Sequence, residues 1–264
     1  MRTVPTFELL EWVIANEGRA RWKLGGSNAL GDGGTLAMVD WDMMLEEMER
    51  HHGYAHDSYP VVSRSLPSFL GVPEGETLQT QGTSEANTLA MHLLCREGTT
   101  VVTDVPAYQS LPDLPRVFGA RTVPVPRRME EGWRLDIQAV QEAVVADTAA
   151  IFTTNLHNPT GAALMAEDLR ALGDIASDAG ATLVVDEIFR PYVEDDNLVP
   201  PVRRLVPEAV ATGSLSKVFV WAVTRMGWIS APPEFVQEAR RLKLLAAPTM
   251  AMPGAAIARQ ILDR

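Results

Sequence analysis

Ala149-Ala150-Ile151-Phe152-Thr153-Thr154 and Thr182-Leu183-Val184-Val185-Asp186 are two short apolar runs, each the length and character of a strand buried in a sheet. The stretch between them reads as a helix over 166–179, so the pair and its crossover form a β-α-β unit. The rhythm extends in both directions. Upstream, a turn at 80–84 opens an apolar helix running to 93, followed by a β-branched strand over 99–104, a helix over 111–118 and a strand over 121–125. A helix over 136–145 starts at the capping residue Asp136. Downstream, 209–213 and 227–230 supply two further strands. Strands and helices alternating at this spacing predict an α/β fold, a mostly parallel central sheet with helices on both faces.

The flanks differ. Residues 7–16 read as a short amphipathic helix with Phe7, Leu10 and Val13 on one face, ahead of a glycine-rich loop and an acidic helix over 41–51. The stretch 54–71 matches no pattern clearly. The last stretch, 233–264, is helical with a break at 248–253.

The 264 residues, 46% of them hydrophobic, can bury a sizeable core. A formal charge of −11 argues against nucleic-acid or anionic-membrane partners, since phosphates would be repelled. The single cysteine, Cys95, excludes an intrachain disulfide framework and a cysteine zinc cluster, which makes a reducing cytoplasm the expected location. The N-terminus lacks the apolar core of a signal peptide, and no window reaches membrane-spanning length.

In parallel sheets of this kind, ligands sit at the carboxyl ends of the strands. Three clusters fall there: Asn155-Leu156-His157-Asn158, Asp186, and Ser214-Leu215-Ser216-Lys217. Gly82-Thr83-Ser84 opens a helix, where exposed N–H groups and the helix dipole favour a phosphate. Arg225 could add a fixed positive charge and Ser214 a hydroxyl donor to that phosphate. Lys217 would form a Schiff base only where its neutral amine is populated. The carboxylate of Asp186 could keep a pyridine nitrogen protonated; a metal site is not indicated, since no second ligand cluster lies at suitable spacing. Asn158 could be part of an Asn-Pro turn or could donate to a phenolate oxygen. Tyr108 could be core or could stack on a flat ring. His157 reads as a structural neighbour of the turn.

Five motifs stand together in order: Gly82-Thr83-Ser84-Glu85-Ala86-Asn87, Pro106-Ala107-Tyr108, Asn155-Leu156-His157-Asn158-Pro159-Thr160-Gly161, Asp186-Glu187-Ile188-Phe189, and Ser214-Leu215-Ser216-Lys217 with Arg225-Met226-Gly227-Trp228. In these the chain resembles the fold-type I, pyridoxal-phosphate-dependent aminotransferases of class I/II. The resemblance implies pyridoxal 5'-phosphate as cofactor. It makes Lys217 the Schiff-base lysine and proton shuttle, with Asp186 at the ring nitrogen, Asn158 at the ring O3′ and Tyr108 stacked on the ring. Gly82, Thr83, Ser84, Ser214 and Arg225 would hold the phosphate. Gly26 would lie near the substrate carboxylate, with Asn158 also on the substrate side, and Tyr54 would reach the phosphate in the partner subunit of a homodimer with shared active sites. It also divides the chain into an N-terminal arm at 1–50, a large cofactor domain at 51–235, and a helical start of a linker at 236–264.

Four departures bear on activity. Phe189 stands where the family often has a tyrosine bonding O3′. Val220 and Val223 replace glycines of the lysine loop, and Tyr59 stands where glycine is usual. The family's small C-terminal domain, with its carboxylate-clamping arginine, has no counterpart in these residues. The reaction expected is transfer of an amino group between an amino acid and a 2-oxo acid through a pyridoxamine intermediate. A lyase, racemase or oxidase-like relative, or a catalytically decayed homologue, would carry the same motifs.

Overall fold

Strand formation follows the apolar runs. The computed structural model describes residues 4–16, 18–19, 39–51, 54–55, 64–193, 195, 197–217 and 222–263, with 54, 55 and 223 described in backbone only. β3 (Thr100–Val105), β5 (Thr148–Thr154) and β6 (Thr182–Asp186) run parallel through the middle of a seven-stranded sheet. β2 (Thr77–Thr80), β4 (Arg121–Pro126), β7 (Val210–Ser214) and β8 (Gly227–Ser230) complete it in the order β2-β8-β7-β6-β5-β3-β4.

Alternate side chains of each central strand feed opposite cores, as the two-residue period of a strand requires. Phe152 and Val184 pack on one face with α4 (Thr83–Leu94), α5 (Ser110–Val117) and α9 (Pro233–Ala246). Ile151, Leu183 and Val185 pack on the other with α6 (Ile137–Ala143), α7 (Ala166–Asp178) and α8 (Val202–Leu205). Both faces are covered, so the strands read as continuous apolar runs rather than alternating ones. The Asp136 cap forms as expected, its carboxylate accepting from Ala139 N at 3.1 Å.

One strand reverses. β8 is antiparallel to both β7 and β2, and the other six strands share a direction. β7 and β8 are consecutive strands and direct neighbours, and an antiparallel pair of this kind can be joined without the crossover that a parallel pair needs. Leu215 N donates to Met226 O at 3.0 Å and closes the base of that loop, which carries Lys217 and Arg225.

A third core lies under the loop. Leu215, Met226 and Trp228 meet Leu66 of α3 (Leu66–Leu70) and a run of small and apolar residues on α10 (Met252–Leu262). α10 packs on α2 (Trp41–Arg50), where buried Glu47 accepts from Arg259 Nη1 at 3.1 Å. The break expected at 248–253 contains β9 (Met250–Ala251), which pairs antiparallel with β1 (Tyr54–Ala55). The N-terminal helix α1 (Glu8–Asn16) buries none of its residues in the core and lies at the carboxyl ends of the strands.

Candidate active site

Asp186 ends β6, and its register partner on β7 is Thr212. Parallel neighbours in register present their side chains to the same face, and both are covered there by Asn87 from the first turns of α4. Asn87 Nδ2 donates to Asp186 Oδ2 at 2.9 Å, and Thr212 Oγ1 donates to Asn87 Oδ1 at 2.7 Å. Ile188 N donates to Asp186 Oδ1 at 3.0 Å. The carboxyl is only 5% exposed. Burial pushes its pKa up to about 6, against the opposing effect of the two donors.

Lys217 lies half-buried on the β7–β8 loop. Burial, and then the nearby Arg225 charge, push its pKa down, which raises the share of neutral amine. Arg225 itself adopts φ +48°, a backbone region that few non-glycine residues occupy. Its guanidinium donates to Gln81 O at 3.3 Å and lies against Gly82, which has φ +84°. A Cβ at Gly82 would stand 2.6 Å from Arg225 Nη2, and one at Gly227 would stand 2.4 Å from the Gly82 carbonyl carbon. Gly227 therefore requires glycine for this approach of the two loops, because the atom it would strike is backbone, and Gly82 requires it for its φ. Next to Gly82, the hydroxyl of Thr83 is buried with no hydrogen-bond partner among the described residues.

Most of the expected site residues converge on one cleft of about 540 Å³, while Gly82, which precedes Thr83, does not line it. Thr83, Ser84, Asn87, Tyr108, Asn158, Asp186, Phe189, Lys217 and Arg225 all line it. Ser214 does not line it: its hydroxyl is buried and shared with Ser216 Oγ at 2.6 Å, and Ser216 faces the cleft. Tyr108 is partly buried, and burial and the Asp186 charge both raise its pKa. Phe189 stacks on Tyr192 with centroids 6.2 Å apart. The Asn158 backbone is fixed from two sides: its N donates to Thr154 Oγ1 at 3.0 Å, and its O accepts from Tyr108 N at 3.2 Å.

His157 is the structural neighbour the sequence suggested. It is 2% exposed, with Nδ1 paired to Thr160 Oγ1 at 2.7 Å and Nε2 3.4 Å from Asp104 Oδ2. Asp104 in turn accepts from Arg127 Nε at 2.6 Å in a fully buried ion pair. Burial, the largest influence, lowers the His157 pKa.

The α1 helix closes one side of the cleft with Leu9, Leu10 and Val13. Its N-terminal end is tied down by Gln109, which donates to Thr6 O at 2.7 Å and accepts from Leu9 N at 3.3 Å. Phe7 meets the Tyr108 ring edge-on at 5.3 Å. The expected face of Phe7, Leu10 and Val13 is therefore turned to the site.

Gly26, Tyr59 and Val220, with the side chains of Tyr54 and Val223, lie outside the described residues. Sequence reasoning gave no role to Asn87, Ser216, Thr154 or Ser110, all of which line the cleft. The available signal for Asn87 was its i+4 spacing from Thr83, which puts both on the inward face of α4. A larger groove, about 920 Å³, lies at the amino ends of the strands between α7 and α9. It holds no lysine, histidine or cysteine, so size does not mark the site. Among the described residues, no group of three His, Cys, Asp or Glu side chains could hold a metal ion.

Known proteins resemble this chain in sequence and in fold. A Mycobacterium tuberculosis protein described as probable N-succinyldiaminopimelate aminotransferase DapC is 31% identical over 175 residues, covering 65% of this chain and 44% of that protein. Capreomycidine synthase from Streptomyces vinaceus is 32% identical over 172 residues, with the same two shares of 65% and 44%. The chain thus spans less than half the length of these relatives. A PLP-dependent aminotransferase structure from Streptococcus suis superposes with a TM-score of 0.87 at 25% identity, over 99% of this chain and 71% of that one. Aspartate aminotransferase from Thermus thermophilus with maleate gives a TM-score of 0.82 at 21% identity, over 99% and 73%, a likeness of fold. The family described as aminotransferase class I and II matches residues 31–264. With that match spanning the sheet and every element that lines the cleft except α1, the chain belongs to the class I and II aminotransferases.

Proposed function

We propose that this chain is the cofactor-binding part of an aminotransferase that moves an amino group between an amino acid and a 2-oxo acid. The observation that carries it is the meeting of a lysine amine, a buried carboxylate and an arginine in one cleft at the carboxyl ends of parallel strands. Members of the family use pyridoxal 5'-phosphate, and the residues present fit that group. The buried, unpartnered Thr83 hydroxyl sits beside a glycine turn that leaves no room for a Cβ against Arg225, a donor set suited to a phosphate.

In this reading Gly82, Thr83, Ser84 and Arg225 hold the phosphate, with Ser214 contributing through Ser216. Asp186 faces the ring nitrogen, Asn158 the ring oxygen and Tyr108 the ring face. Phe189 supplies apolar surface and no hydroxyl, so Asn158 is the main oxygen partner. When bound, the cofactor supplies an electron sink for the bonds at the substrate Cα. Lys217 Nζ would be the residue that anchors the cofactor, and its neutral amine would take the proton from the substrate Cα and give it back to complete the transfer. Its depressed pKa suits both tasks. The buried Asp186 charge is costly in the empty cleft and is relieved by a cationic nitrogen placed against it.

The same reading gives Tyr54 to a partner subunit's phosphate within a homodimer, and Gly26 to the substrate carboxylate. It divides the chain into an arm at 1–50, a cofactor domain at 51–235 and a helical linker from 236. A cytoplasmic location agrees with the lone, buried Cys95. A second reading, another amino-acid transformation on the same cofactor, is favoured by the likeness to capreomycidine synthase. Borohydride reduction with pyridoxal 5'-phosphate, followed by peptide mapping, tests the site: label on Lys217 supports it, and label elsewhere or none refutes it. Release of 2-oxo acid with accumulation of pyridoxamine phosphate separates transamination from the second reading.

A further inference from the structure

The three side chains Asp186, Asn87 and Thr212 form a directional chain of hydrogen bonds. A primary amide offers one accepting and one donating end, and a carboxamide can turn over to exchange them. Here the ionised carboxylate of Asp186 can only accept, so it takes the NH₂ end of Asn87 at 2.9 Å, and the Thr212 hydroxyl donates to the Oδ1 end at 2.7 Å and holds the amide from the other side. All three are buried: Asn87 is 4% exposed, Thr212 0% and Asp186 5%. Asn87 comes from α4 while Asp186 and Thr212 are paired across β6 and β7, so the amide bridges the helix and the sheet at the cleft wall.

We propose that Asn87, oriented by Thr212, is a positioning residue that fixes the Asp186 carboxylate in its ionised form and aims it into the cleft. This rests on the reading that Asp186 faces the cofactor's ring nitrogen. Ile188 N engages Oδ1 and Asn87 engages Oδ2, so each carboxylate oxygen has one protein donor. Two donors fix the plane of the carboxylate, leaving its remaining lone pairs as the only ones available to a ligand. Donors favour the charged form of a buried acid. Without Asn87, a single donor would remain to oppose burial, and the carboxyl would hold its proton at neutral pH. A protonated Asp186 cannot keep a ring nitrogen cationic.

The test uses the whole chain carrying Asn87→Leu, with Thr212→Val and Thr212→Ser beside it. Carboxyl carbon NMR of the cofactor-free protein follows the Asp186 titration directly. Fluorescence titration with pyridoxal 5'-phosphate gives affinity, and borohydride labelling of Lys217 checks that the site is assembled. The expected result is an Asp186 titration moved to higher pH in Asn87→Leu and cofactor affinity weakened by about tenfold to a hundredfold, the range of a hydrogen bond to a charged group. Thr212→Val, which removes the donor that holds Asn87 Oδ1, should move both readouts the same way by less, and Thr212→Ser should restore them. A role confined to folding would lower the thermal midpoint of the cofactor-free variants without moving the titration, and that result overturns the proposal. So does an affinity within twofold of the parent when Lys217 is labelled in both. If the parent chain itself takes no label on Lys217, the cofactor reading falls and the assignment of Asn87 falls with it.

Discussion

In the cofactor-free chain, Asp186 should act against folding at neutral pH. Its carboxyl, ordinarily near 3.8, is pushed up to about 6 by burial. An acid whose pKa is raised in the folded state binds its proton more tightly folded than unfolded. The stability it contributes is complete below the unfolded value and is lost as pH rises through the folded value. An interval of about two pH units corresponds to about 3 kcal/mol, lost between about pH 4 and pH 6. The perturbation is Asp186→Asn, which has no charge to desolvate. The new amide would have to point its NH₂ at one of two donors, Asn87 Nδ2 or Ile188 N, and that mismatch costs about 1–3 kcal/mol at every pH. The absolute stabilities of parent and variant therefore decide little; their difference as a function of pH decides the matter. Urea denaturation of both proteins at a series of pH values should show the variant gaining about 3 kcal/mol on the parent between pH 4 and pH 7. Parallel curves would refute the reasoning, since they would mean that Asp186 folds with an ordinary pKa. With pyridoxal 5'-phosphate present the gain should shrink, because a cationic nitrogen against the carboxylate offsets the penalty that burial imposes.

Three further outcomes are expected. Lys217→Ala should abolish the borohydride label and slow the amino-transfer half-reaction by about 10²–10⁴-fold, the usual contribution of a positioned acid–base group, as read by single-turnover absorbance. Thr83→Val removes a buried hydroxyl that has no partner among the described residues, so cofactor-free stability should hold or rise by about 1 kcal/mol in urea melts. Its affinity for pyridoxal 5'-phosphate should meanwhile fall about tenfold; a variant that loses stability and keeps affinity would count against a phosphate role. Gly227→Ala drives a methyl group to 2.4 Å from the Gly82 carbonyl carbon, a backbone atom with no rotamer to retreat into. It should cost about 1–3 kcal/mol in urea melts and loosen the cofactor too, whereas Gly71→Ala, at a turn with open space around the added atom, should leave affinity unchanged.

The sheet was legible because its central strands are buried on both faces, and such strands announce themselves as unbroken apolar runs. Residues 149–154 and 182–186 carried that signal plainly. The pairing of β1 with β9 carried none, since two residues have no period and their partner lies almost two hundred positions away. The reversal of β8 carried no local signal, since strand direction depends on which neighbours it pairs with, β7 and β2. The site divides in the same way. Lys217, Asp186, Asn158, Tyr108 and Arg225 were visible as motifs, and the structure brings them to one cleft. The groups that tune them were not. Asn87 looks like any polar residue near a helix start until Thr212, 125 positions on, is seen to fix its amide. Arg127 reads as surface charge, yet it is 3% exposed and paired with Asp104 at the ends of adjacent parallel strands. Ser214 and Ser216 share the motif, and only their hydrogen bond shows that the second faces the cleft.

These hidden groups have a common physical character. Each is a buried polar side chain whose partner comes from a different element, so its role depends on tertiary contacts that no local period encodes. Their burial raises the stakes of each partner: removing Arg127 would leave Asp104 charged and dry, at a cost of about 3–5 kcal/mol. The loop bearing His157 and Asn158 would lose its footing at the same time, because His157 Nε2 lies 3.4 Å from that same carboxylate. The residues proposed to handle the chemistry are thus held by a layer of buried ion pairs and amides, which ties the geometry of the cleft to the stability of the sheet ends.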